Sequence, residues 1–301
     1  MSASAAEARR ATTQISAGAR TGHALGRVAT YTLVGAVALL LAIPFLWMIG
    51  TSLKTDSELV RFPPRLWPDP VAWSNYVRTF TRDDIPIHRF ALNSMIVTIL
   101  AVIGQVLTST MVGFAFARLQ WFGRNVCFGI LLATMMLPSQ VKIVPVFIMF
   151  SKLGWTNSWL PLIVPAWFGS PFFIFLVRQF MLTLPRDLDD AARIDGCNTW
   201  QLYSQVILPL CKPVVAAVAV FSFQGHWNDF FNPLIYITDP EKQLLSVGIT
   251  YLTTVMSIGP VSTPWNTLMA VSLAMTVPMI VIFFAAQRVF VKGVVFSGLK
   301  G

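Results

Sequence analysis

The chain has 301 residues, 55% of them hydrophobic and 12% charged, with mean hydropathy +0.66. Soluble domains carry about 25% charged residues, so a wholly soluble fold is excluded and a membrane protein is expected. The formal net charge of +9 comes with no basic run and no aromatic-interleaved basic patch, which argues against nucleic acid as a partner.

Residues 1–27, rich in Ala, Ser, Thr and Arg, read as a mobile cytoplasmic tail. A membrane-crossing helix needs about 20 apolar residues for a hydrocarbon core about 30 Å thick. The first such run extends from about Val28 to Gly50; it is too long for a signal-peptide core and lacks a convincing cleavage site, so it is expected to stay attached. A long polar connection, 54–90, leads to a second span from about Ala91 to Phe116. The third, Val126 to Phe150, is interrupted by "LPSQVKIVP", and Lys142 between Pro138 and Pro145 marks a broken helix. That lysine either lines a pathway or snorkels to the interface, the second being the preferred reading. The fourth span, Ser158 to Val177, contains Pro161, Pro165 and Pro171.

A polar island then interrupts the apolar pattern, within a loop spanning 183–212: "DDAARIDGCNTWQLYSQVILP" at 189–209. Asp190 to Ile194 suits a short helix, and Gly196 permits a turn conformation closed to bulkier residues. A second helical stretch is expected from Thr199 to Val206, with Pro209 and Pro213 punctuating the entry to the next span. Ala191 and Ala192 offer almost no bulk while Asp187, Asp189, Asp190 and Arg193 supply charge, a pattern that suits a docking knob. The alternative is a solvated inter-helix loop.

The fifth span runs from about Pro213, a residue suited to a first helical turn, to Tyr236. Its "GHWNDFFNP" places His226, Trp227, Asn228 and Asp229 together in an apolar setting, and polar groups at membrane depth face a cavity or a partner. Amide and carboxylate groups bind sugar hydroxyls and an aromatic face covers a pyranose ring, so these four are candidate solute contacts; equally, they satisfy a kinked backbone or pack on a partner. The sixth span covers Thr267 to Gln287, and 289–301 is expected as a cytoplasmic tail. The fold expected is therefore all-α, a polytopic membrane protein with six transmembrane helices within 28–288 and a cytoplasmic coupling helix between helices 4 and 5.

Orientation follows from Lys and Arg. With both termini cytoplasmic, the inner segments collect thirteen of the twenty-two Lys and Arg residues, and six of the remainder lie in the 54–90 connection among five acidic residues. The three cysteines, Cys127, Cys197 and Cys211, form no CxxC pair and indicate neither disulfide nor metal. No G-x-x-x-x-G-K-[ST] loop occurs, so ATP chemistry is not expected in this chain; HExxH and GxSxG are also missing, which weighs against a membrane-embedded enzyme. An ion-coupled secondary carrier is the alternative transporter class, but Asp229 and His226 are its only intramembrane titratable candidates and neither is paired with a like group.

The island's spacing resembles the cytoplasmic "EAA" loop of ABC importer permeases: Asp190-Ala191-Ala192, three residues, Gly196, nine residues, then Val206-Ile207-Leu208-Pro209. Asp190 replaces the usual Glu, Val206 the usual Ile, and Cys197 the usual small Ala. "SLKTDSEL" at 52–59, "FPPRLWP" after it, "NSMIVTIL" at 93–100, "WNDFFNPLIYITD" at 227–239 and "QRVFVKGVVFSGLKG" at 287–301 are similar to the carbohydrate-importer branch, specifically its maltose-type second permease subunit. Val295 and Phe296 depart from the usual small residues of that tail. The resemblance implies half of a translocation pathway in a prokaryotic inner or plasma membrane, paired with a second permease, two ATPase subunits that hold ATP and Mg, and an extracytoplasmic solute-binding protein. It implies ATPase coupling through Asp190, Ala191, Ala192, Arg193, Asp195, Gly196, Leu208 and Pro209. The expected cargo is a carbohydrate or related polyol, neutral because Lys142 is the one pathway cation in view.

Overall fold

The computed structural model describes residues 3–81, 85–258 and 265–297, with side chains described for 26–81, 85–138, 140–254 and 265–287. Those residues form helices and no strand. In chain order they are α1 Ala3–Ser52, α2 Asp56–Leu59, α3 Ser74–Phe80, α4 Ile87–Arg118, α5 Arg124–Met135, α6 Ser139–Lys152 and α7 Leu160–Ile163. A 3-10 segment, Val164–Phe168, leads to α8 Pro171–Leu182 and α9 Asp187–Ile194. Then come α10 Thr199–Gln201, a π-helical segment Leu202–Ile207, α11 Leu208–Leu210, α12 Lys212–Trp227 and α13 Phe231–Tyr236. A 3-10 turn at Pro240–Lys242 precedes α14 Leu245–Ile258 and α15 Trp265–Ser297.

Two compact units result, 1–72 and 73–301. In the first, α1 begins at Ala3, so residues expected as a separate tail have helical backbone continuous with the first apolar run; their Ala and Arg content favours helix. Past α1 the chain folds back on itself: Ala72 N–H donates to Leu53 O at 2.9 Å and Asp69 N–H to Glu58 Oε1 at 2.8 Å. Gly50 makes this possible, because a Cβ there would collide with the carbonyl of Leu66.

Four helical stretches are individually long and apolar enough to cross a membrane: Gly26–Ser52, Ile87–Arg118, Leu160–Leu182 and Trp265–Gln287. Two further pairs qualify only together, Arg124–Met135 with Gln140–Lys152 across a 103° bend, and Thr199–Leu210 with Lys212–Trp227 across an 81° bend. The break in the third expected span thus falls at Met136–Pro138, where Pro138 cannot continue a helix. The fifth expected span is also broken: α12 stops at Trp227 and α13 restarts at Phe231. Helix α14 was not anticipated; its 14 residues are too few to span and so carry no membrane signal.

Helix α4 is the axis of the second unit. In lipid, helices associate through close packing and small residues rather than through the hydrophobic effect, and α4 supplies glycines where neighbours come nearest. A Cβ on Gly104 would run into the ring of Trp167, and one on Gly113 would lie 2.7 Å from Val177 Cγ1. The Thr108 hydroxyl donates to Trp167 O at 2.6 Å, satisfying a carbonyl released by the break before α8. Toward one end, α4 packs with α8, α12 and the island around Phe114, Val177, Met181, Leu202 and Val218. Toward the other, Phe90, Phe223, Trp227, Leu252 and Val271 form a separate cluster joining α4, α12, α14 and α15.

Candidate functional site

The island folds as a short helix, a bend and a second helical stretch. Asp187, Asp189 and Asp190 occupy the first turn of α9 and Arg193 the last, the arrangement that complements a helix dipole. Asp195 N–H closes back on Ala191 O at 3.0 Å and Cys197 N–H on Ala192 O at 2.9 Å. Between them Gly196 takes φ +82°, with no atom within 4 Å of where a Cβ would stand, so the constraint there is conformational rather than steric. Asn198 and Gln201 then form a reciprocal capping box, both bonds 2.9 Å. Leu202, Tyr203 and Ile207 bury one face of the π-helical turn, whose i→i+5 period matches their spacing.

Arg118, the last residue of α4, fastens this assembly. Its side chain is 2% exposed and meets Asp189, 11% exposed, at 3.2 Å. The same guanidinium donates to Met181 O at 2.7 Å and Leu184 O at 3.0 Å, so it joins the end of α4, the end of α8 and the start of α9. A second tie links the Thr110 and Tyr203 hydroxyls at 2.8 Å. Arg118 was legible in the sequence only as an inner-side positive charge; its partner lies 71 positions away and no local pattern joins them.

Ala192 requires a correction. It is buried at 6% exposure within the chain's own core, with Ala117, Met181 and Tyr203, and so is not available to a neighbour. A helix turns about 100° per residue, and the outward face carries Ala191 and Asp190, both exposed, and Ile194 at 86% exposure. Arg193, Asp195, Gly196 and Pro209 are also exposed, and Leu208 is half-buried.

The four residues proposed as solute contacts separate. Trp227 is buried, stacks on Phe223 at 5.6 Å and donates its indole N–H to Met275 O at 2.8 Å, so its ring has no face left for a sugar. Asp229 accepts from Asn232 backbone N–H at 3.2 Å and from Asn232 Nδ2 at 2.7 Å, the contacts of a cap on α13, where the broken helix needs its amides satisfied. His226 is half-buried on α12. Asn228, whose Nδ2 donates to Gln224 O at 3.0 Å, lines a cavity of about 380 Å³ with Ser272 and Thr276. Of the proposed set, Asn228 therefore keeps a place beside a cavity. The side chains of 288–301, expected to approach an ATPase, lie outside the described residues.

Residues 105–296 match the family described as binding-protein-dependent transport system inner membrane component. The arabinooligosaccharides transport system permease protein AraQ of Halalkalibacterium halodurans is 33% identical over 267 residues, covering 88% of this chain and 93% of the relative. The sulfoquinovosyl glycerol transport system permease protein SmoH of Agrobacterium fabrum is 32% identical over 259 residues, covering 86% of this chain and 88% of the relative. Among solved structures, a bacterial ABC transporter involved in the import of the acidic polysaccharide alginate superposes with TM-score 0.78 at 20% identity, over 87% of this chain and 95% of that one.

Proposed function

This chain belongs to the family of binding-protein-dependent transport system inner membrane components, and we propose that it is the permease subunit of an ATP-driven ABC importer for a carbohydrate or related polyol. The cargoes for which its relatives are named, arabinooligosaccharides and sulfoquinovosyl glycerol, support the substrate class. The observation that carries the coupling role is α9 itself: a charged helix held from behind by Arg118 and offering Ala191 and Ile194 outward.

On this reading the chain has six spans, with α5 and α6 together forming the third, α12 and α13 the fifth, and α9 as a cytoplasmic coupling helix between the fourth and fifth. The placement of thirteen of the twenty-two Lys and Arg residues on the inner side supports cytoplasmic termini. A second permease completes the pathway, since helices broken at 136–138 and 228–230 leave backbone groups that need protein or water rather than lipid. Two ATPase subunits supply ATP and Mg chemistry, and an extracytoplasmic binding protein delivers the cargo. ATP binding moves α9, and the Arg118 junction passes that movement to α4 and α8 together, biasing a two-state element. Membership of the binding-protein-dependent family disfavours an ion-coupled carrier.

The test is assembly. Purified in mild detergent from its native membrane, the chain is expected with a second, different permease and a nucleotide-binding subunit, and Ile194→Asp is expected to release the nucleotide-binding subunit alone. A stable chain that transports by itself would remove the proposal.

A further inference from the structure

Three helix breaks converge near Lys142. A cavity of about 310 Å³ lies between the break after α5 and the start of α8, lined by Thr134, Ser170 and Phe172 together with Lys142. A second, of about 420 Å³, lies between α6 and α13, lined by Gln140, Asn232, Phe231 and Tyr236, again with Lys142. Both volumes fall in the range of about 300–1,000 Å³ used for small ligands. Their linings combine hydroxyl and amide groups with aromatic rings, the chemistry that binds sugars, and Lys142 is the one charged side chain in either.

Lys142 is itself exposed, on the side of α6 that borders both cavities. Val141, Val144 and Ile148 form the exposed apolar face at spacings of three and four. One turn on from Lys142 stand exposed Pro145 and half-buried Val146, the latter packing against the cluster of Val97, Leu162 and Tyr236 and lining the same cavity. Among the described residues, Lys142 has neither an ion pair nor a hydrogen bond. Asp229, the nearest carboxylate in sequence within the broken fifth span, is occupied by Asn232, whose Oδ1 has no protein partner among the described residues. A basic side chain within a span-forming segment calls for an acidic partner or a cavity.

We infer that Lys142 is a specificity-determining residue that contacts an acidic group, a carboxylate, sulfonate or phosphate, on the carried carbohydrate; this deepens the permease reading and rests on it. Hydroxyls of the same solute are met by Asn232, Thr134 and Ser170, and its ring by Phe172 or Phe231. On this inference the cargo is acidic where the sequence alone led to the expectation of a neutral one, and one cation standing between two cavities serves one acidic group.

The test uses the assembled importer with its binding protein in vesicles, given a hexuronate disaccharide, a hexose phosphate and a neutral disaccharide as probes. Lys142→Gln is expected to raise the half-saturating concentration for an acidic probe by roughly 10-fold or more, the loss of one charge-assisted hydrogen bond, and to raise that for the neutral probe far less. Lys142→Arg is expected to restore acidic uptake in part. Equal loss for acidic and neutral probes, or a loss that follows the anionic lipid content of the vesicles, overturns the inference in favour of packing or a lipid headgroup. It is also overturned if the unmodified importer takes up only the neutral probe, an outcome that leaves the permease reading standing. If no probe is taken up and none stimulates ATP hydrolysis, both fall.

Discussion

Arg118→Met removes the guanidinium that joins α4, α8 and α9 while leaving an unbranched side chain of similar reach. Four acceptors lose a hydrogen bond: the Asp189 carboxylate, and the Met181, Leu184 and Pro185 carbonyls, which accept at 2.7, 3.0 and 3.4 Å. Breaking a buried pair from one side costs about 3–5 kcal/mol, and the lower figure applies because Asp189 keeps 11% exposure and can recover some water. About 3 kcal/mol corresponds to an increase on the order of 100-fold in the local opening of α9. Hydrogen exchange reads this directly at the amides of Asp195 and Cys197, bonded to Ala191 O and Ala192 O. Their protection is expected to fall by that factor, with uptake lost and ATP hydrolysis no longer stimulated by solute. Arg118→Met combined with Asp189→Leu is expected to be less damaging than Arg118→Met alone, since no unpaired charge remains. Unchanged exchange and full uptake in Arg118→Met would refute the claim that this junction carries the coupling movement.

Gly196→Val forces a β-branched residue to φ +82° where there is space for its side chain, so a cost of about 1–3 kcal/mol is purely conformational; Gly196→Asn, which tolerates that region, is expected to retain most uptake while Gly196→Val does not. Ala192→Trp overpacks the core beneath α9 and is expected to lower the chain's own melting temperature, at a cost of about 1–3 kcal/mol, whereas Ile194→Asp leaves that temperature unchanged and abolishes ATPase co-purification. Asp229→Ala removes the cap on α13, worth about 1 kcal/mol, and Asp229→Asn restores most of it; equal and complete loss of uptake in both, with stability intact, would point to solute contact instead. Cys211, fully buried, is expected to resist maleimide in the folded complex while half-buried Cys197 reacts from the cytoplasmic side, and labelling of Cys197 from outside would reverse the orientation.

Much of the fold was written in residue types whose effect is local. Apolar runs of the right length mark the spans, Pro138 marks the break in the third, and the spacing between Asp190 and Gly196 anticipates a helix followed by a left-handed turn that only glycine enters cheaply. What stayed hidden depends on rotation and distance. Whether Ala191 or Ala192 faces outward is a matter of 100° about a short helix, decided by the packing of Leu202, Tyr203 and Ile207 behind it. The pairing of Arg118 with Asp189 joins segments that no periodicity connects. Trp227 and Asp229 carried the right chemistry for a sugar, yet a helix break creates its own demand for hydrogen bonds, and here the tryptophan packs and the carboxylate caps. Helix α14 escaped because its 14 residues sit below the length at which apolar character identifies a span.

The central claim is that this chain moves its solute by coupling to ATP hydrolysis performed in another subunit. The most direct measurement is uptake of a labelled oligosaccharide into vesicles holding the purified complex and its binding protein, with ATP enclosed or omitted and ion gradients imposed or collapsed. Uptake that requires enclosed ATP, persists without any ion gradient and disappears in Ile194→Asp is the predicted result. Uptake driven by an imposed proton or sodium gradient without ATP would contradict the account.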